Sequence, residues 1–183
     1  MDHRGQRPAY TTAVITMITG GARSGKSRYA AEEALRLSGR PMHIATARIW
    51  DEEFRARVDR HRAERGPAWE CVEEEKFVSR LPLRDRVCVI DCVTLWLTNF
   101  FVDERSDVAR CLDAFRAEVD ALHACPGTFI VVTNEIGMGI HADTESGRRF
   151  TDLQGWANQY LAARAERVVL MVSGIPLTVK PTV

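Results

Sequence analysis

Between Gly20 and Ser27 the chain reads Gly-Gly-Ala-Arg-Ser-Gly-Lys-Ser, and only Thr19 separates this run from the apolar stretch Ala13-Val14-Ile15-Thr16-Met17-Ile18. A helical pattern follows from Ser27. The spacing G-x-x-x-x-G-K-S, at the end of a strand and opening a helix, is that of a phosphate loop. The residue types match the chemistry. Glycines allow the tight turn that aims successive backbone N–H groups at phosphates, and the helix start adds its partial positive charge. Lys26 is placed to reach β and γ phosphates, and the Ser27 hydroxyl to ligate Mg²⁺. Binding of a nucleoside triphosphate is expected. The alternative, a glycine-rich connection with no ligand, leaves the strand before and the helix after unexplained.

A chain of 183 residues is long enough for one domain built on a central sheet covered on both faces. Lys plus Arg and Asp plus Glu both number 25, so no global field recruits nucleic acid or membrane. Apolar runs fall far short of a bilayer span, and the start lacks a signal-peptide apolar region. Residues 1–12, polar and basic through Tyr10 with Pro8 among them, read as a flexible extension, and 13–183 as the domain. Five cysteines (Cys71, Cys88, Cys92, Cys111, Cys125) form neither a C-x-x-C pair nor an extracellular disulfide framework. Buried free thiols in a reducing cytoplasm are the expectation.

Short apolar runs alternate with helical patterns, which predicts a mostly parallel sheet with crossover helices. Strands are expected at 13–18, 42–46, 87–91, 128–133 and 167–172, with a short one including 177–180. Helices are expected at 27–38, 51–65, 107–124 and 144–166, the third stopped by Pro126-Gly127. In the last, Phe150, Leu153, Ala157, Tyr160 and Leu161 make one apolar stripe. Ligands on such sheets bind beyond the C-terminal strand ends.

The run Val87-Cys88-Val89-Ile90-Asp91 closes a strand on a carboxylate, the place of a Mg²⁺-holding Asp beside a phosphate loop. A helix cap for the next segment is the other reading. On the helix from Asp51, Phe54, Val58, His61 and Arg65 share one face. His61 is then either a core histidine or an imidazole aimed at nucleotide with Arg57, Arg62 and Arg65 near the phosphates, and periodicity cannot separate core from cleft. After the strand at 128–133, Asn134-Glu135-Ile136-Gly137-Met138-Gly139-Ile140 is either a loop at the active edge or an ordinary connection. Arg148 and Arg149 either meet phosphates of a second substrate or lie on a solvated helix face.

Taken together these segments resemble the bifunctional adenosylcobinamide kinase / adenosylcobinamide-phosphate guanylyltransferase family. The resemblance rests on the run from Gly20 to Arg28, Ile44-Ala45-Thr46-Ala47, Arg57 to His61 with Arg65 and Trp69, and Asp91 to Asn99. It continues through Thr133 to Ile140, Arg148-Arg149-Phe150, Asp152-Leu153, Asn158-Gln159 and Val172 to Leu177, so it covers nearly everything from Val14 to Lys180. It implies an α/β P-loop NTPase (RecA-like) fold with helices on both faces of the sheet. It implies two reactions: phosphorylation of the hydroxyl on adenosylcobinamide's aminopropanol arm by ATP or GTP, then transfer of GMP from GTP to that phosphate. In the family the second passes through GMP–histidine, and His61 takes the matching position. The resemblance also implies a nucleotide site formed by Gly20, Gly21, Ala22, Arg23, Ser24, Gly25, Lys26 and Ser27 with Ala45, Thr46, Ala47, Arg62, Ala63, Glu64, Arg65, Glu73 and Asp91. Mg²⁺ on Ser27 and Asp91, a corrinoid substrate and a homotrimer complete the implication.

Three features depart from the family pattern. Residues 1–12 precede the first strand, Arg60 rather than a second histidine precedes His61, and Ile140-His141-Ala142-Asp143-Thr144 replaces the more usual Val-Pro form. A P-loop kinase for another small alcohol would keep the phosphate loop and Asp91 but leave His61 structural. A nucleic-acid-binding RecA-like ATPase is disfavoured by zero net charge and the lack of an aromatic-basic stretch. A relative keeping one of the two activities is the third alternative.

Overall fold

Alternation inside the apolar runs sets which face of the sheet each residue meets. In β4 (Val87–Asp91) and β5 (Gly127–Val132) every residue but the terminal Asp91 is buried, the pattern of parallel strands covered on both faces. Cys88, Ile90, Phe129 and Val131 enter one hydrophobic cluster; Val87, Val89, Ile130 and Val132 enter the other. The computed structural model describes residues 12–49, 52 and 66–181.

These strands belong to one seven-stranded sheet with β1 (Ala13–Gly20), β2 (Met42–Ala45), β3 (Glu70–Glu73), β6 (Arg167–Val172) and β7 (Ile175–Lys180), in the order β3-β2-β4-β5-β1-β6-β7. All pairings are parallel except β6 with β7. Of the helices among the described residues, α1 (Lys26–Leu37) covers one face through Ala30 and Ala34. The other face carries α2 (Val93–Asp103), α3 (Val108–Ala124) and α4 (Glu145–Arg164), packed through Trp96, Phe115 and Leu153. The expected α/β architecture with helices on both faces is what is found.

The expected strands and three expected helices are present with ends shifted by one or two residues, and β7 begins at Ile175 rather than 177. Among the described residues, one strand and one α-helix have no counterpart in the sequence expectations. β3 is four residues long and its Glu70-Cys71-Val72-Glu73 has no apolar run. α2 is so apolar that helical periodicity fades, because it is buried on most sides. The expected helix 51–65, with Arg57, His61, Arg62, Ala63, Glu64 and Arg65, lies outside the described residues, as does the extension before Thr12. All five cysteines are free. Burial pushes Cys88 up to about 12 and Cys92 up to about 11, so both are neutral, unreactive thiols. No helix among the described residues is long and apolar enough to cross a membrane.

Candidate active site

The phosphate loop is built by backbone conformations that side chains rarely adopt. Gly20 has φ +145°, and a Cβ there would stand 2.6 Å from the Met171 carbonyl oxygen. Gly25, at φ +95°, would place a Cβ 3.3 Å from Gly174 Cα. The β6–β7 turn therefore packs directly on the loop, and the Gly174 N–H donates to the Ser24 carbonyl at 3.0 Å. Glycine fits both positions because only it combines positive φ with that approach.

Around this loop the C-terminal strand ends enclose a cleft of ≈ 1100 Å³. It is lined by the loop from Gly21 to Ser24 with Lys26 and Ser27, by His43, Ala45 and Ala47 of the β2 end, and by Asp91 and Cys92 after β4. Asn134, Glu135, Ile136, Met138 and Gly139 form the wall after β5, and 170–173 the wall at β6. Its size accommodates a nucleotide.

Lys26 is 7% exposed and donates to the Gly21 carbonyl at 2.5 Å. Burial pulls its ammonium below the ordinary lysine range, opposed by the neighbouring Asp91 carboxylate. A cation held this way gains most from a phosphate that arrives in the same pocket. Asp91 ends β4, with Oδ2 3.8 Å from His43 Nε2. The cap reading for Asp91 fails, since α2 starts at Val93 with Cys92 in the cap position. The Ser27 hydroxyl and Asp91 carboxylate share the cleft, and no cluster of three or more His, Cys, Asp or Glu among the described residues could cage a metal. A hydroxyl and a carboxylate are oxygen donors of the kind a hard cation takes.

Thr46 is a strut rather than part of the wall. It is fully buried, its hydroxyl donates to the Cys92 carbonyl at 2.7 Å, and its own carbonyl accepts from Asn99 Nδ2. Arg48 extends the brace: its guanidinium donates to both oxygens of Asp103 and to Glu75. Those bonds, with Lys76, hold the Asp103 carboxyl well below the usual carboxylate range. Glu73 lies exposed on β3 in register with Ala45 and outside the cleft lining. Arg148 donates to the Ala142 and Asp143 carbonyls, and Arg149 borders a separate groove between α3 and α4, so neither lines the cleft. The solvated-face reading of that pair is the one that fits.

The wall after β5 is the stronger contribution that sequence reasoning left even. Thr133, Gln154 and Asn158 form a buried hydrogen-bonded set, and Asn158 Nδ2 donates to the Asn134 carbonyl at 3.0 Å. Asn134 in turn donates to Thr94 Oγ1 at 2.8 Å, tying the loop to α2. His43 went unnoticed because a lone polar residue in the short run Met42-His43-Ile44-Ala45 carries no local signal of a cleft.

A family model described as cobinamide kinase / cobinamide phosphate guanyltransferase matches residues 16–179. The bifunctional adenosylcobalamin biosynthesis protein CobU of Escherichia coli is 38% identical over 182 residues, covering 91% of this chain and all 100% of that one. The protein of Pseudomonas aeruginosa named bifunctional adenosylcobalamin biosynthesis protein CobP is 38% identical over 169 residues, covering 90% and 96%. Among solved structures, a KaiC-like protein from Pyrococcus horikoshii aligns with TM-score 0.49 at 15% identity, over 86% of this chain and 70% of that one. The family match runs from within β1 to the penultimate residue of β7, across every described wall of the cleft, and this chain belongs to the cobinamide kinase / cobinamide phosphate guanyltransferase family.

Proposed function

We propose that the chain carries out both reactions of its family. ATP or GTP phosphorylates the hydroxyl of adenosylcobinamide's aminopropanol arm; GMP from GTP is then joined to that phosphate, giving adenosylcobinamide-GDP and pyrophosphate. The observation that carries this reading is the cleft itself, where a buried lysine, a glycine-formed loop and a strand-end carboxylate converge. In the phosphoryl step the loop N–H groups from Gly20 to Gly25 and Lys26 hold the β and γ phosphates in line with the acceptor. Ser27 and Asp91 would hold Mg²⁺, which when bound neutralises charge developing on the phosphates.

For guanylyl transfer, His61 is the nucleophile. One imidazole nitrogen bonds to the α-phosphorus as the bond to the α–β bridging oxygen breaks, and pyrophosphate departs with that electron pair. An oxygen of adenosylcobinamide phosphate then bonds to the same phosphorus and the imidazole leaves. A neutral imidazole suffices at neutral pH. In this reading Ala45 and Ala47 line the nucleotide with Thr46 bracing them from behind, and family resemblance adds Arg62 to Arg65, with Glu73 at the edge of the site rather than in its wall. Family resemblance supports a cytoplasmic homotrimer, and the five free thiols fit a reducing compartment.

The test supplies adenosylcobinamide and γ-labelled ATP or GTP to the full chain, followed by unlabelled GTP. Label is expected first in a corrinoid phosphate and then in adenosylcobinamide-GDP, with unlabelled pyrophosphate released. A corrinoid that never acquires label overturns the kinase half; label that stops at the phosphate leaves a kinase-only relative.

A further inference from the structure

We propose that Glu135 accepts the proton of the corrinoid hydroxyl during phosphoryl transfer, with Thr19 and Asn158 positioning its carboxylate; this rests on the kinase reading above. Glu73, Asp91 and Glu135 are carboxylates at or just beyond the C-terminal ends of three different strands. Their distances from the phosphate loop differ through the strand order. β3, carrying Glu73, is four strand steps from β1, and β4, carrying Asp91, is two, at about 4.8 Å per step. Glu135 follows β5, the immediate neighbour of β1.

It is also the carboxylate tied to the loop's root. Its N–H donates to the carbonyl of Gly20, the loop's first residue, at 3.3 Å. Its Oε1 accepts from Thr19 Oγ1 at 2.5 Å and from Asn158 Nδ2 at 3.3 Å. Both described donors therefore fall on Oε1, while Glu135 lines the cleft and is only half-buried. A base needs a fixed carboxylate with one oxygen turned to the acceptor. Asp91 is a weaker candidate, being placed beside Lys26 and the cation.

In the step, the hydroxyl oxygen bonds to the γ-phosphorus as the bond to the β–γ bridging oxygen breaks. The nucleoside diphosphate leaves with that electron pair, and the hydroxyl proton passes to Glu135 and on to solvent. Guanylyl transfer makes no such demand. Its acceptor is a phosphate, already ionised near neutral pH, with no proton to lose. A base on Glu135 serves one reaction and is dispensable to the other.

The experiment compares Glu135→Gln, Glu135→Asp and Thr19→Val with the wild type. Kinase activity is measured with adenosylcobinamide, and guanylyl transfer with adenosylcobinamide phosphate supplied directly. Glu135→Gln is expected to lower kinase kcat on the order of 10²-fold. Nucleotide KM and guanylyl transfer should change by no more than a few-fold, far less than kinase kcat, and the variant should still unfold cooperatively. Glu135→Asp restores part of kcat, and Thr19→Val lowers it about 10-fold through kcat rather than KM. A kinase kcat within a few-fold of wild type in Glu135→Gln overturns the proposal. So does a parallel fall of both reactions, which marks a structural role. Failure of the wild type to phosphorylate adenosylcobinamide removes the kinase reading itself, a separate outcome.

Discussion

Lys26→Met is expected to cut phosphoryl transfer to adenosylcobinamide by roughly 10²- to 10³-fold while leaving the fold as stable as the wild type, or more so. The two effects have one cause. The ammonium is almost fully buried; it has lost water and gained the Gly21 carbonyl, a long contact to Ser24 Oγ at 3.5 Å and the attraction of Asp91, which together do not offset the burial. Its folded-state pKa lies below the ordinary value of 10.5. Below that folded pKa the folded protein holds the proton less willingly than the unfolded chain, and the cost is fully present. It fades as pH rises towards the unfolded value. Methionine fills the same space with no charge to desolvate, so melting at neutral pH should hold or rise. Triphosphate bound in the loop adds anionic oxygens within direct reach of the ammonium, and a donor aimed at transferring phosphate is typically worth about 3–4 kcal/mol in the transition state. Steady-state kinase assays with thermal unfolding at pH 7 read both. A variant that unfolds as it loses activity would show Lys26 to be a structural ion instead.

Trp96→Ala should remove about 3–5 kcal/mol of folding stability, a large part of the 5–15 kcal/mol that domains of this kind possess. Trp96 is fully buried on α2, packs edge-to-face on Phe115 of α3 with centroids 5.4 Å apart, and donates through Nε1 to the Lys76 carbonyl at 2.8 Å. Alanine leaves a cavity between α2 and α3 and strips the carbonyl of its donor. At about 2–4 °C per kcal/mol for this chain length, the melting temperature should fall by roughly 10 °C or more. Trp96→Phe keeps the ring contact and should cost about 1–2 kcal/mol, mostly for the unpaired carbonyl. Thermal or urea unfolding separates these values. Equal, small losses for both would mean that the indole is not holding α2 to the core.

The sequence was most informative where chemistry and periodicity coincide. The phosphate loop is written in glycines that the backbone needs at Gly20 and Gly25, and the strand before it is buried as the apolar run requires. β4 and β5 were visible as continuous apolar runs because both faces of the sheet are covered. α2 was not visible, since a helix apolar on most sides gives no stripe, and the residues around it read instead as part of a motif. β3 is too short and too charged to be told from a loop before its parallel partner β2 is known. The same limit applied to the site. Asp91 stood out by ending an apolar strand. The Glu135 wall was left even because its support comes from Thr19 and Asn158, 116 and 23 residues away in the chain. Contacts at such separation leave no local pattern to read. Arg148 and Arg149 show the converse: two adjacent cations near a motif suggest phosphate, yet the helix turns one to loop carbonyls and the other to a groove between α3 and α4.

The covalent step is tested most directly by incubating the full chain with Mg²⁺ and GTP labelled at the α-phosphate, then denaturing and counting, with His61→Ala alongside. Acid-labile, base-stable label on the wild type, absent from a His61→Ala protein that still phosphorylates adenosylcobinamide, is the predicted result. Label retained on His61→Ala, or none on a folded wild type that binds GTP, would contradict it.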